Sequence, residues 1–185
     1  PRLDIFVANA AALGARRPIT QYPMDVWKQS FQINVHANLQ LLQGLDPLLR
    51  SAQADPAVRT VMLTTEEEGV ALCCGAWLGG KKAVLMIQSS GVGNCINAFT
   101  LISNCRFPFL LLVSMRGEYG EGMPWQIPMG RATPGCLELL GFSVHRAERA
   151  DEVGPMVDAA LKMAWRSDQA VAVLLTQRLI GVKDI

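Results

Sequence analysis

This sequence carries little charge and almost no net charge. Lys, Arg, Asp and Glu together make up 18% of the 185 residues, and the formal net charge is +1 at pH 7. Binding to nucleic acid or to an anionic membrane surface normally draws on a marked basic excess. We therefore predict no nucleic acid and no membrane among the partners. The hydrophobic fraction of 50% predicts a folded globular chain rather than a disordered one.

The sequence also lacks long apolar runs and a leader segment. The longest uninterrupted apolar run covers residues 107–113, far short of the roughly 20 residues that a membrane helix needs. No charged stretch followed by an apolar one opens the sequence, so we expect no secretion. The five cysteines are an odd number and lie mostly in apolar segments, which indicates buried thiols in a reducing compartment. These features predict a cytoplasmic protein.

Histidine is scarce, which bears on metal binding. The two histidines, His36 and His145, are far apart, and neither has a second Cys or His at metal-ligand spacing. We therefore predict no metal ligands in this chain.

Short apolar runs rich in strand-forming residues recur along the sequence, at residues 3–7, 58–63, 83–87, 109–113, 142–146 and 170–175. Helical patterns lie between them, at residues 25–50, 69–78, 94–105, 134–140 and 151–165. Asp151 is the expected N-cap of the last helix. Strands that are apolar on both faces and alternate with helices predict an α/β fold, with an open, mostly parallel sheet and helices on both faces.

In such a sheet, ligands bind where the carboxyl ends of strands lead into helices. The predicted junctions are residues 8–14, 64–69, 88–94 and 114–133. The last junction is long and rich in Gly, Pro and Met, and a loop of that length in a compact domain is usually functional.

Three glutamates, Glu66, Glu67 and Glu68, stand together at the second junction. Thr65 and Glu68 have the Ser/Thr-x-x-Glu spacing of a capping box, and acidic residues suit the first turn of a helix. On this interpretation the triplet only marks a helix start. The alternative is that one of the three is a working acid, and the triplet by itself leaves both open.

Four blocks of sequence follow in order: TTEEEGVALCCGAWLGGKKAVLMIQSSGVGNCINAF, PFLLLVSMRGEYGE, PWQIPMGRAT and QRLIGVKD. Over about residues 55–185 they resemble the pyrimidine-binding (alpha) subunit of thiamine-diphosphate-dependent sulfopyruvate and phosphonopyruvate decarboxylases. The resemblance implies a pyrimidine-binding domain over residues 58–185. It also implies thiamine diphosphate as cofactor and a 3-substituted pyruvate, a small 2-keto acid, as substrate.

The resemblance implies a specific acid among the glutamates. Activation of thiamine diphosphate requires a buried carboxyl group that hydrogen-bonds the aminopyrimidine ring. In the family this acid lies nine residues before a glycine of the following helix, and counting back from Gly75 gives Glu66. Glu67 is the alternative, because no aromatic residue directly follows Gly75 as it does in many relatives. Glu68 then caps the helix.

The resemblance also implies contacts to the pyrimidine ring from the QSSGVGN segment and the helix after it. The candidate cofactor-binding residues are Gln88, Gly91, Asn94 and Asn97. The glycines of this segment permit close backbone approach.

Arg116, Trp125 and Gln126 in the long loop are candidates for binding substrate. A guanidinium group there would pair with the acidic substituent of the substrate. The alternative is an ion pair of Arg116 with Glu118 or Glu121 that fixes the loop.

Members of this family hold magnesium and the diphosphate through a Gly-Asp-Gly…Asn motif on a second domain. No Gly-Asp-Gly occurs in this sequence. The resemblance therefore implies a diphosphate-binding (beta-type) partner subunit that supplies most ligands of Mg²⁺ and the diphosphate. It also implies an oligomer with the site at the subunit boundary.

The beginning of the sequence resembles a different family. Over about residues 1–63, three segments are similar to the middle of a short-chain dehydrogenase: LDIFVANAAALG, DVWKQSFQINVHANLQLLQGLDPLLR and VRTVMLTT. Asn9 and Asn34 stand at matching asparagines. The glycine-rich dinucleotide turn and the Tyr-x-x-x-Lys of that family are absent. We expect residues 1–57 to complete the sheet of the domain at 58–185. Two alternative functions remain, a short-chain-dehydrogenase-like oxidoreductase fragment and a non-catalytic oligomerisation domain.

Overall fold

The computed structural model describes residues 5–9 and 52–179. Its strands form one sheet in the order β2-β1-β3-β4-β6-β5, and every neighbouring pair is parallel. They are β1 (Ile5–Asn9), β2 (Arg59–Met62), β3 (Ala83–Gln88), β4 (Phe109–Ser114), β5 (Ser143–Ala147) and β6 (Ala170–Leu175). This parallel sheet confirms the predicted α/β fold. The helical pattern predicted at 25–50 lies outside the described residues.

Helices connect these strands. They are α1 (Glu66–Leu78), α2 (Ser89–Cys105), α3 (Ile127–Leu139) and α4 (Ala150–Arg166), with short 3-10 turns at Pro124–Gln126 and Gln177–Leu179. Within residues 5–9 and 52–179, no helix combines the length and apolar character that crossing a bilayer requires.

The central strands are buried on both faces because helices cover both sides of the sheet. Along β3, Leu85 and Ile87 belong to one apolar core, which also contains residues of α1, α2 and α3. The alternate residues Val84 and Met86 belong to a second core, where α4 packs against the sheet. This alternation follows the two-residue period of a strand. It explains why the sequence of β3 is a continuous apolar run rather than an alternating one.

Three helices begin earlier than the sequence pattern predicts. The predicted starts were residues 69, 94 and 134, whereas α1 begins at Glu66, α2 at Ser89 and α3 at Ile127. Glycine and proline favour loops, which made the starts of α2 and α3 hard to recognise from the sequence pattern. The structure instead accommodates glycines in the first turns of α2 and Pro134 inside α3.

The predicted N-cap of the last helix was wrong. Arg149 rather than Asp151 is the N-cap of α4. The Glu152 carboxylate accepts hydrogen bonds from the backbone N of Glu148 (3.1 Å) and of Arg149 (3.3 Å). It thereby satisfies two backbone donors that a helix start leaves free. Asp151 lies inside the first turn, where its charge suits the helix dipole.

The strand order reverses direction between β1 and β3. The chain passes from β1 to its neighbour β2 on one side, and from β3 to β4 on the other. Ligands of open parallel sheets bind at the carboxyl ends of strands beside such a reversal. The β2–α1 and β3–α2 junctions both lie at this edge.

Candidate functional site

The site is built on Glu66, the first residue of α1. Its side chain is buried although a glutamate at a helix start is normally exposed; the residue is only 7% exposed. Asn94, in the second turn of α2, donates a hydrogen bond from Nδ2 to Glu66 Oε2 (3.0 Å). The adjacent helix starts therefore bring together two residues that are 28 positions apart in sequence.

Gly91 lies directly against this carboxyl group. A Cβ atom placed on Gly91 would be 2.6 Å from Glu66 Cγ and 3.0 Å from both Cδ and Oε1. Real Cβ atoms do not approach so closely, so only glycine fits while Glu66 keeps this position. Three of the predicted residues, Glu66, Gly91 and Asn94, therefore form one cluster.

The two oxygens of the Glu66 carboxyl differ in their surroundings. Oε2 accepts the hydrogen bond from Asn94, whereas Oε1 has no hydrogen-bond partner within the described part of the chain. Oε1 is not among the fully buried atoms that lack a hydrogen bond in the described residues, so it keeps access to solvent although the residue as a whole is buried. The arrangement thus leaves one accessible oxygen of a largely buried carboxyl group available to a bound molecule.

The other two glutamates of the triplet have different surroundings. Glu67 is exposed. Glu68 Oε2 accepts hydrogen bonds from the backbone N of Thr64 (2.9 Å) and of Thr65 (3.4 Å). These bonds hold the pKa of Glu68 below its ordinary value of 4.5. The predicted capping role of Glu68 is confirmed, and within the triplet only Glu66 is buried.

Gln88 and Asn97 flank Gly91 and Asn94 in the sequence and differ in exposure. Gln88 is 3% exposed, and its Oε1 accepts a hydrogen bond from Ser90 Oγ (2.6 Å). Asn97 lies further along α2 and is exposed; its backbone carbonyl accepts a hydrogen bond from Thr100 Oγ1 (2.7 Å). Their proposed contacts with a cofactor stay predictions.

Arg116 is buried and forms a bidentate ion pair with Glu121. Its Nε donates to Glu121 Oε2 (2.8 Å) and its Nη2 to Glu121 Oε1 (2.7 Å). Of the two interpretations of Arg116, the structure contains the ion pair with Glu121 that fixes the loop. Contact of Arg116 with substrate stays a prediction.

Glu121 organises the loop that follows β4. Besides Arg116, its carboxylate accepts hydrogen bonds from the backbone N of Gly117 and of Met123 (2.9 Å each). Burial alone would raise the pKa of Glu121, but the hydrogen bonds from Arg116 and from the two backbone amides outweigh it. The pKa falls from 4.5 to about 2. Glu121 is therefore ionised at neutral pH.

Trp125 and Gln126 belong to the 3-10 turn before α3. Trp125 is 68% exposed. A Cβ on Gly117 would be 2.4 Å from the carbonyl oxygen of Gln126, so the turn packs tightly on the loop. No hydrogen bond or ion pair within the described residues joins either side chain to Glu66.

The sequence patterns missed Gln177, which is 1% exposed. Its Nε2 donates to Glu121 Oε2 (3.0 Å) and its Oε1 accepts from the backbone N of Glu118 (2.7 Å). The available signal was its place two residues after β6, near the edge of a parallel sheet where ligands bind.

Comparison with solved structures identifies proteins that share this fold. The fold matches part of a 2-oxoglutarate:ferredoxin oxidoreductase from Magnetococcus marinus, with a TM-score of 0.61 and 18% identity over 96% of this chain and 27% of that one. It also matches a protein from Mycobacterium smegmatis described as a thiamin diphosphate-dependent enzyme, with a TM-score of 0.57, 14% identity, and coverage of 99% and 31%. The chain thus has an α/β fold found within such enzymes.

Comparison with curated sequences defines the family, although no family model matches. The chain is 40% identical over 137 residues to the alpha subunit of sulfopyruvate decarboxylase from Methanothermobacter thermautotrophicus, covering 71% of this chain and 81% of that subunit. It is 39% identical over 97 residues to phosphonopyruvate decarboxylase from Streptomyces viridochromogenes, covering 51% and 24%. The chain belongs to the family of sulfopyruvate decarboxylase alpha subunits, which confirms the family predicted from the four sequence blocks.

A shorter match connects the chain with oxidoreductases. It is 40% identical over 60 residues to an uncharacterized oxidoreductase of Escherichia coli, which covers 32% of this chain and 24% of that protein.

Proposed function

We propose that this chain is the pyrimidine-binding subunit of a thiamine-diphosphate-dependent decarboxylase that acts on sulfopyruvate, phosphonopyruvate or a close analogue. Family membership supports the reaction class. The observation that carries the assignment of the site is the buried Glu66 carboxyl at the strand-order reversal, with one oxygen held by Asn94. When bound, thiamine diphosphate supplies the carbon nucleophile that attacks the keto group of the substrate.

The residues present fit the pyrimidine end of this cofactor. A ring nitrogen that must share a proton needs a carboxyl oxygen with no other partner, and Glu66 Oε1 meets that condition within the described residues. Gly91 has no side chain, so α2 packs against the carboxyl group without displacing it. We propose that Glu66 holds a proton at Oε1 in a hydrogen bond with the ring, while Asn94 fixes the orientation of the carboxyl group.

The described residues show no cluster of side chains for the magnesium ion. Within residues 5–9 and 52–179, no group of three His, Cys, Asp or Glu side chains is placed to hold a metal ion. We propose that a beta-type partner subunit supplies the ligands of magnesium and the diphosphate. The active site then lies at the boundary between the two subunits of an oligomer.

We assign the beginning of the chain a structural role. Its resemblance to a short-chain dehydrogenase is supported by the short oxidoreductase match. In the sheet, β1 (Ile5–Asn9) pairs with both β2 and β3, so this segment adds the strand beside the site. A titration with NAD(H) and NADP(H) tests the oxidoreductase alternative, and tight binding of either nucleotide would support it.

Two matched variants test the proposed function. The chain is co-expressed with a candidate beta-type subunit, and release of CO₂ from sulfopyruvate and from phosphonopyruvate is measured with added thiamine diphosphate and magnesium. We expect Glu66→Gln to lower kcat by at least about 100-fold, because the amide cannot transfer the proton. Glu67→Gln is the control, since Glu67 is adjacent but exposed, and we expect its activity within about twofold of the original.

Two outcomes would contradict the proposal in different ways. Full activity of Glu66→Gln would remove Glu66 as the cofactor acid and leave the reaction class standing. An assembled complex that binds thiamine diphosphate but decarboxylates neither substrate would overturn the proposed reaction.

A further inference from the structure

A second pocket, of about 400 Å³, opens at the carboxyl ends of β4, β5 and β6. Its lining includes Arg131, Arg146, Thr176 and Arg178. Neither Glu66 nor the residues that contact it line this pocket. The volume is in the range of small-molecule sites. Three arginines from three different elements around one pocket predict an anionic occupant.

One of the three arginines is already neutralised. Arg146 Nη2 donates to Glu118 Oε1 (2.6 Å), and Glu118 Oε2 accepts a hydrogen bond from the backbone N of Gln177 (3.1 Å). This pair therefore forms a fixed wall of the pocket rather than a free charge.

The other two arginines, Arg131 and Arg178, are exposed and form no ion pair within the described part of the chain. The guanidinium of Arg178 lies 5.7 Å from the centre of the Tyr119 ring, a cation–π contact that restrains it. Glu148 is the remaining carboxylate of the lining. The charges of Arg131, Arg178 and Glu148 sum to one positive charge.

Thr176 supplies an independent sign of a ligand. The residue directly follows β6 and is 2% exposed. Its Oγ1 is buried and, within the described residues, makes no hydrogen bond. Such orphaned hydroxyls are rare and costly in native proteins, because water is lost and nothing replaces it. The residue lines the pocket, and rotation of its side chain to another rotamer would turn the hydroxyl group from this buried position toward an acceptor bound there.

We propose that this pocket is an oxyanion-binding site for a small phosphate, phosphonate or sulfonate group, held by Arg131, Arg178 and the Thr176 hydroxyl. Guanidinium groups bind such anions through paired N–H donors, and a hydroxyl adds a third direction of hydrogen bonding. The anion has two sources of the same chemistry. It is either the acidic substituent of the substrate or a free anion that binds independently.

Titration calorimetry at constant ionic strength tests the site by measuring whether the full chain binds inorganic phosphate and methanesulfonate. We expect Arg131→Gln and Arg178→Gln each to weaken phosphate binding by about 10-fold or more, the effect of losing a charge-assisted hydrogen bond. Arg166→Gln is the control, because Arg166 is exposed on α4 and outside the pocket. Glu148→Gln removes the opposing charge and strengthens phosphate binding.

Thr176→Val separates a ligand role from a structural one. Valine has nearly the same shape and lacks the hydroxyl, so the unliganded variant keeps or gains thermal stability. We expect phosphate binding by the same variant to weaken. Loss of binding without loss of stability is the combination that only a ligand contact produces.

The proposed site would be overturned if the chain bound neither phosphate nor methanesulfonate. It would also be overturned if the Arg131, Arg178 and Thr176 variants bound these anions as the original chain does. The titration uses this chain alone, so it stands whether or not the decarboxylase assignment holds. The choice between the two sources of the anion does rest on the decarboxylase assignment. In the assembled enzyme, competitive inhibition by phosphate together with a raised KM in Arg178→Gln would show that the site binds the acidic substituent of the substrate. A change in kcat without competition would show that it binds a free anion.

Discussion

At the scale of single residues, the position of the Glu66 carboxyl group depends on the absence of a side chain at Gly91. The carboxyl group is buried because the first turn of α2 covers it, and α2 approaches that closely only because residue 91 has no side chain. Asn94 then takes one carboxyl oxygen. The second oxygen stays unpaired within the described residues, and that geometry makes Glu66 a candidate acid rather than a buried structural ion.

Substitution of Gly91 by alanine tests this constraint. The added Cβ would lie 2.6 Å from Glu66 Cγ, so the carboxyl group or α2 must shift. We expect decarboxylation by the assembled enzyme to fall on the order of 100-fold, because a misplacement of about 1 Å has that effect on catalysis. The stability cost is limited to about 1–3 kcal/mol from overpacking, partly offset by the better helix propensity of alanine.

Gly75→Ala is the matched control for Gly91→Ala. A Cβ on Gly75 meets no atom within 4 Å, so alanine only improves the propensity of α1, by about 0.5–1 kcal/mol. Urea denaturation should show a higher free energy of unfolding for Gly75→Ala. Its decarboxylase activity in the assembled enzyme should be unchanged. Equal activity of Gly91→Ala and Gly75→Ala would show that the position of Glu66 does not depend on Gly91.

At the scale of elements, the segment between β4 and α3 is an ordered structure rather than a loose loop. The Glu121 carboxylate binds Arg116, two backbone amides and Gln177. Gly130 of α3 packs so closely that a Cβ there would be 2.0 Å from the carbonyl oxygen of Arg116. Buried charge and close backbone contact together hold this segment over the carboxyl edge of the sheet.

Glu121→Gln should destabilise the chain by about 3–5 kcal/mol near neutral pH, because it leaves the buried Arg116 guanidinium without its charge partner. The folded pKa of Glu121 lies below the ordinary value, so its stabilisation is present above about pH 4.5. It is lost as the pH falls toward about 2. The difference in unfolding free energy between the two proteins should therefore shrink over that range in urea titrations.

Asp158→Asn is the control for Glu121→Gln. Asp158 pairs with Lys162 on the surface of α4, and exposed ion pairs contribute little to stability. A loss for Glu121→Gln as small as that for Asp158→Asn would contradict the structural role of Glu121.

The sequence patterns predicted strands better than helix starts, and the reason is physical. The strands β3, β4 and β6 are buried on both faces. Burial on both faces requires apolar residues at nearly every position, so these strands are visible in the sequence as apolar runs. At the start of α2, Gly91 instead packs against Glu66, a tertiary contact that no local propensity records. Glu66 itself was predictable only through its spacing within the family's blocks.

The bond from Asn94 to Glu66 joins two helix starts and was not predictable from either segment alone. For the same reason Gln177 escaped notice, because its role depends on Glu121 in a distant loop. Local sequence thus identified the residue types at the edge of the sheet. The long-range pairing that makes them a site comes from the strand order.

At the scale of the whole molecule, the sheet separates two apolar cores, and one of them carries the buried thiols. Cys73 and Cys74 of α1 and Cys95 of α2 lie in the same core as Leu85 and Ile87. Cys95 follows the turn of α2 that contacts Glu66, and it is fully buried. The core beneath the site is therefore apolar, and it disfavours any new charge placed there.

The buried thiols predict how the whole fold responds to alkaline pH. Burial raises the pKa of Cys73 and Cys95 from 9.0 to about 12, and that of Cys74 to about 11, with smaller contributions from neighbouring thiols and glutamates. Because the folded pKa values exceed the unfolded ones, this stabilisation is fully present below about pH 9. It is lost as the pH rises toward about 11–12.

We therefore expect the thermal midpoint to fall steadily above about pH 9. Thiolate ultraviolet absorbance should show the three buried thiols ionising at higher pH in the native chain than in the chain unfolded by urea. Cys105→Ala is the control, because Cys105 is exposed and its removal should leave the delayed titration in place. Native and unfolded chains that titrate identically would show that the apolar core at the site admits water, and the burial of Glu66 would then be in question as well.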